Sequence, residues 1–177
     1  MKFYKFEFDE KYRFLTINDN KDDISFLRRQ LSNGKLVKSN KVLELIASES
    51  HHSADSLADF IGFYSYGLLM KSNVYGVLRN YLKPFGEFLE MTFNSEIYYY
   101  FNTTAVVDVV DFSNSEFEEY DGYITGINRL CFKEIPNLTQ KIFKMKGLEN
   151  QPPILTEEFV NLVQRYEFTG LKFVHIN

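Results

Sequence analysis

His51 and His52 stand side by side in a chain of 177 residues with 3 histidines. Neighbouring side chains point apart in a strand and diverge on a helix, so the pair makes poor joint metal ligands. No cysteine or suitably spaced histidine lies nearby, and the expectation is a polar loop without a metal. Asp108 and Asp111 are three residues apart. On a strand that spacing places them on opposite faces, which disfavours a paired-carboxylate acid–base site unless the strand bulges. Ser113 and Ser115 lack the GxSxG elbow of a hydrolase nucleophile. Cys131 would need two strands to bring it to His175 before the two could act as nucleophile and base. It lies in an apolar stretch and reads as an inert core thiol. Phosphate loops, dinucleotide fingerprints, HExxH and the kinase set are all missing, and the glycines are scattered. No catalytic residue, cofactor or metal is expected, and the sequence offers no enzyme signature.

The charges are segregated along the chain. The formal net charge is -4 and the pI about 5.5, which disfavours a wholly basic nucleic-acid binder. Residues 84–128 contain no Lys or Arg, and Glu87, Glu90, Glu96, Asp108, Asp111, Glu116, Glu118, Glu119 and Asp121 give that stretch a charge of -9. The rest of the chain carries +5. Strands in such a stretch should neighbour one another, so much of this charge is expected to share a face. A field of that kind speeds association with a basic partner. Glu116, Glu118, Glu119 and Asp121 read as an exposed loop; with Asp108 and Asp111 they are the candidate partner-binding residues. Tyr98 and Tyr100, from the run Tyr98-Tyr99-Tyr100, are candidate aromatic anchors, although alternation in a strand sends at least one of the run into the core. The plainer alternative is a solvated surface that maintains solubility.

Those residues need elements to position them. Alternation over 3–8, a turn at Asp9-Glu10-Lys11 and a second apolar run over 12–17 predict a hairpin. Ile24, Leu27 and Leu31 are spaced for a short helix that Asn33-Gly34 stops. Residues 36–46 are ambiguous between helix and strand. Residues 60–70 read as short and extended, broken at Gly62 and Gly67. Ser72 is the expected N-cap of a helix through Val74, Tyr75, Leu78 and Leu82, ended by Pro84 and Gly86. Strands are expected over 88–93, 97–101, 103–112, 127–132 and 141–146, with 103–112 the clearest. Thr156 caps a last helix with Glu157 and Glu158 in its first turn, Gly170 ends it, and 171–176 is the final strand. Ser72, Tyr75, Leu78 and Gly86 match Thr156, Phe159, Leu162 and Gly170 at a constant offset of 84. The match is compatible with two similar strand–helix–strand units, and equally with the caps and glycines that all such units share.

With 18 Phe, 12 Tyr and no Trp, the chain should build a sheet-rich core. The expected fold is α+β: a mixed, mainly antiparallel sheet with a few packed helices, in one domain over 1–177. One cysteine excludes an internal disulfide framework and suits a reducing cytosol. Charged residues interrupt the first 13, unlike a secretory signal, and no run approaches a membrane span of about 20 apolar residues. The expectation is a cytoplasmic protein that binds neither membrane nor nucleic acid.

Several segments of the second two-thirds carry a resemblance. They are Ala58-Asp59-Phe60, Ser72 opening a helix to Leu82, and Tyr99-Tyr100 leading into Val106-Val107-Asp108-Val109-Val110-Asp111 and Ser115. They continue with Ile142-Phe143-Lys144-Met145, the segment from Ile154 with Phe159 and Leu162, and Thr169-Gly170-Leu171-Lys172-Phe173. In these features the stretch 58–173 resembles the immunity proteins of bacterial polymorphic-toxin systems, and most nearly the immunity protein eleven family. Lys144 stands where that family usually has Arg, and residues 1–55 match no part of it.

The resemblance implies a cytoplasmic protein that binds and neutralises a cognate toxin domain without catalysis. It supplies no interface residues, because toxins differ among members; the acidic stretch supplies the candidate face. A nuclease toxin with a cationic groove would suit it. The alternative is a small enzyme or small-molecule-binding protein with an aromatic-lined pocket. A homodimer formed through Tyr- and Phe-bearing sheet edges is a third reading.

Overall fold

A computed structural model describes residues 2–18, 20–49, 56–121 and 123–176. His51 and His52 lie outside the described residues. In chain order the strands are β1 (Phe3–Phe8), β2 (Leu15–Ile17), β3 (Leu43–Ala47), β4 (Phe60–Ile61), β5 (Leu68–Met70), β6 (Gly86–Phe93) and β7 (Glu96–Thr103). They continue with β8 (Val106–Val107), β9 (Glu116–Tyr120), β10 (Tyr123–Arg129), β11 (Ile142–Met145), β12 (Ile154–Thr156) and β13 (Leu171–His175). The helices are α1 (Lys21–Phe26), extended by a π-helical turn over Leu27–Leu31, α2 (Ser72–Leu82) and α3 (Glu157–Arg165). The fold is α+β, and its sheets are mixed and mostly antiparallel.

Local chemistry accounts for the helices. Asn20 caps α1, its side chain accepting from the Asp23 backbone N–H at 2.8 Å. In α2, Val74, Leu78 and Leu82 recur every four residues and form the buried stripe. Its cap position is Lys71, not Ser72; Ser72 is the first helical residue, and its hydroxyl donates to the Ile97 carbonyl at 3.4 Å. A 3-10 turn containing Pro84 then ends the helix before Gly86. Thr156 occupies the cap position of α3, but its hydroxyl donates to the Lys141 carbonyl at 3.1 Å and so ties the helix to β11's approach.

The strands form a five-stranded sheet (β13-β1-β12-β11-β8), a six-stranded sheet (β2-β3-β6-β7-β5-β4) and a separate β9–β10 ribbon. The predicted hairpin over 3–17 does not form. β1 pairs with β12 and β13, whereas β2 pairs with β3 in the other sheet. Both segments carry good strand patterns, but each is claimed by a distant partner. The stretch 103–112 is likewise no continuous strand. It breaks into the end of β7, the two-residue β8 and an isolated bridge from Val110 to Phe132.

The repeat at offset 84 has a topological counterpart. β5 and β6 are each antiparallel to β7 and therefore parallel to each other, with α2 as the crossover. β12 and β13 flank β1 in the same way, with α3 as the crossover. Each unit also begins with an antiparallel partner strand, β4 before β5 and β11 before β12. The matched glycines nevertheless differ in reason. Gly86 is extended, and a Cβ there would lie 2.1 Å from the Asn102 carbonyl oxygen. Gly170 has φ +101°, and a Cβ there would lie 2.0 Å from the Phe60 carbonyl oxygen.

Three clusters fill the interior. The central one joins both sheets and both crossover helices through Phe6, Phe60, Met70, Leu78, Phe101 and Phe159. Strand alternation sends the next residues of the six-stranded sheet, Ile61, Leu69, Tyr98 and Tyr100, to a second cluster under α1. The other face of the five-stranded sheet, with Phe3, Phe143, Met145 and Ile154, forms a third cluster beneath the β9–β10 ribbon.

Two segments behind the family resemblance meet physically. The Asp59 carboxylate accepts from the Thr169 backbone N–H at 3.0 Å, the Thr169 hydroxyl at 2.8 Å and the Asn73 amide at 2.9 Å. Phe60 N–H donates to the Thr169 carbonyl at 2.9 Å. Burial pushes the Asp59 carboxyl up, but these hydrogen bonds outweigh it and hold the group below its ordinary value. Asp59 thus clasps the two sheets together, a structural role for that pair of motifs.

Candidate partner-binding ribbon

Among the described residues β9 and β10 pair only with each other, in an antiparallel hairpin with irregular register. The expected loop over Glu116, Glu118, Glu119 and Asp121 is therefore mostly strand. Opposing Phe117 to Ile127 gives the chain a reason to extend, because both rest on the third core cluster. Asp121, at φ +51°, makes the turn. Within β9 only Phe117 is half-buried; Glu116, Glu118, Glu119 and Tyr120 are exposed.

The acidic stretch does not keep its charges uncompensated. Glu116 pairs with Arg129 at 2.7 Å across the ribbon. Asp108 pairs with Lys133 at 2.7 Å and Lys146 at 3.8 Å, and the Lys133 ammonium holds its carboxyl below the ordinary value. Asp111 works on the backbone: its side chain accepts from Asn114 at 2.7 Å and from the Ser113 N–H at 3.1 Å. Glu87 faces inward, accepting from the Val37 N–H at 2.7 Å and the Asn102 amide at 2.9 Å. The six clustered carboxylates thus reduce to Glu118, Glu119 and Asp121, which make no ion pair among the described residues. Arg129, Lys133 and Lys146 come from outside the cation-free stretch, so linear charge counting could not reveal them.

Tyr98 and Tyr100 are not surface anchors. They are 3% and 0% exposed, because the face of β7 that they share packs against α1's cluster. Burial pushes the Tyr98 phenol up to about 12, helped by its hydrogen bond to Glu96 at 3.0 Å. Burial also raises Tyr100, whose hydroxyl is enclosed without a hydrogen-bond partner among the described residues. Tyr120 is an exposed ring on the ribbon, 78% accessible. Its position before the turn dipeptide Asp121-Gly122 was the available sequence signal.

β10 forms a wall of a cleft of about 450 Å³ through Ile127 and Asn128. Leu130, Met145, Ile154 and Ile176 complete an aliphatic lining, with Lys5 and Gln151 also facing it. At the other end of the molecule a cleft of about 750 Å³ includes Tyr64, Tyr66 and Arg28. The two tyrosine rings are parallel to within 2°, with centroids 6.5 Å apart.

Cys131 is half-buried, and its backbone N–H donates to the Ser115 hydroxyl at 2.9 Å. His175 sits on β13 against the Tyr4 ring, 5.3 Å between centroids, and Tyr4 packs on the central cluster, whereas Leu130 and Phe132, the neighbours of Cys131, pack on the third. Among the described residues no three His, Cys, Asp or Glu side chains converge to hold a metal ion, and no helix is long and apolar enough to cross a membrane. Neither a protein-family model nor a curated protein matches the chain.

Proposed function

We propose that this chain is a cytoplasmic, non-catalytic immunity protein that binds and neutralises a cognate toxin domain. The single observation that carries the reading is the β9–β10 ribbon. It stands outside both large sheets and exposes Glu118, Glu119, Tyr120 and Asp121 together. Carboxylates without local cations favour a basic partner and accelerate its approach, while an exposed tyrosine supplies contact area at low entropic cost. A tight complex would bury about 1,600 Å² in total, so neighbouring surface must join the ribbon.

The test is co-expression with the toxin domain encoded beside the gene. Protection of the cells and co-purification of the two proteins are expected. Equal killing with and without this chain would remove the reading. A second reading, a small-molecule binder, is favoured by the parallel Tyr64 and Tyr66 rings beside Arg28. Such a site suits a planar anionic ligand. Tyr64→Ala and Tyr66→Ala would then remove ligand binding without affecting protection.

A further inference from the structure

Cleft and acids share the ribbon: β10 supplies Ile127 to the aliphatic lining, and its pairing partner β9 carries the uncompensated carboxylates. Ile127, Leu130 and Ile176 are each only half-buried, so an occupant would complete the burial of the third core cluster. We infer that this cleft is the anchor pocket of the interface, receiving one neutral apolar side chain from a cationic segment of a partner protein. The inference rests on the partner-binding reading of the ribbon and adds to it the place and chemistry of the anchor.

The charges select the occupant. Lys5 is the one cation in the lining and makes no ion pair among the described residues, so it disfavours a basic side chain inside the cleft. The partner's cations are directed instead to Glu118, Glu119 and Asp121 on the ribbon. A second copy of this chain is a poor occupant. Two-fold pairing across this face would bring the like-charged ribbons together. A buried apolar anchor flanked by a polar rim is also how binding energy concentrates in protein interfaces.

Two synthetic peptides test this on the full-length protein at low salt: Lys-Lys-Leu-Lys-Lys and Lys-Lys-Ser-Lys-Lys. Burying the leucine should make the first bind about tenfold more tightly. Amide NMR shifts at Ile127, Leu130 and Ile176 should accompany the leucine peptide only. Ile176→Ser should erase the leucine advantage, so that the two peptides bind alike; if that variant unfolds, the two peptides on the unaltered protein still decide. Equal affinities with shifts confined to β9 would overturn the cleft and leave the ribbon reading standing. A leucine advantage with shifts elsewhere would also overturn the cleft. No binding of either peptide would overturn the cleft and the electrostatic reading of the ribbon together.

Discussion

Lys144 is 0% exposed, on a strand whose four residues are all buried. It shares with Ile142 the face of β11 opposite Phe143 and Met145, and its stem runs beneath Gly34. Its ammonium donates to the Gln151 carbonyl at 2.6 Å and has no carboxylate partner among the described residues. Burial pushes its pKa from 10.5 down to about 7. That displacement corresponds to about 5 kcal/mol of lost stability while the group is charged in both states. Below about pH 7 the folded and unfolded chains both hold the proton, and the full cost is present. Between about 7 and 10.5 the unfolded chain binds more protons, so stability rises with pH, by at most about 1.4 kcal/mol per pH unit from this group. Lys144→Met keeps the volume of the stem and removes the charge. The Gln151 carbonyl loses its donor, at a cost of about 1–3 kcal/mol. A net gain of about 2–4 kcal/mol at pH 7 is expected from the difference of these two effects. Urea unfolding at several values from pH 7 to 9.5 measures it. This window stays clear of Tyr98, whose phenol, raised to about 12, contributes stability that is lost as pH rises through 10 to 12. The stability difference between variant and parent should shrink as pH rises. A difference that stays constant across the window would refute the claim that a desolvated ammonium sits at this position.

Further outcomes follow from the packing. Gly170→Ala places a Cβ 2.0 Å from the Phe60 carbonyl oxygen at a φ of +101°, and should cost at least about 2 kcal/mol in chemical denaturation. Gly76→Ala, on the exposed side of α2 with open space around its Cβ, should stabilise by about 0.5–1 kcal/mol in the same assay. Asp59→Ala removes three accepted hydrogen bonds and should cost about 2 kcal/mol at pH 7. Because the folded pKa of Asp59 is lowered from 3.8, its contribution is present above that value and lost as pH falls through the folded one, so the variant's acid unfolding profile should be flatter. Changing Glu116, Glu118, Glu119 and Asp121 together to Ser should slow toxin association and reduce its salt dependence in stopped-flow measurements. Unchanged rates would move the interface off the ribbon.

Elements whose signals are local were legible in the sequence. The α2 stripe of Val74, Leu78 and Leu82, the acidic first turn of α3, and the apolar alternation of β6, β7 and β11 depend on neighbours a few residues away. It also carried the echo between the two crossover units, because both need a cap before the helix and a glycine after it. Tertiary structure decided the pairings. β1 joins strands more than 140 residues away, at Ile154–Thr156 and Leu171–His175, and no local pattern encodes a partner at that distance. It decided which carboxylates remain free, since an ion pair depends on where Arg129 or Lys133 arrives in space and not on the cation-free run itself. It also set the burial of Lys144, which strand alternation only groups with Ile142 and Lys146 on one side. A strand's period says which residues share a face; only the packed sheet and the Gly34 turn above it determine whether that face meets water.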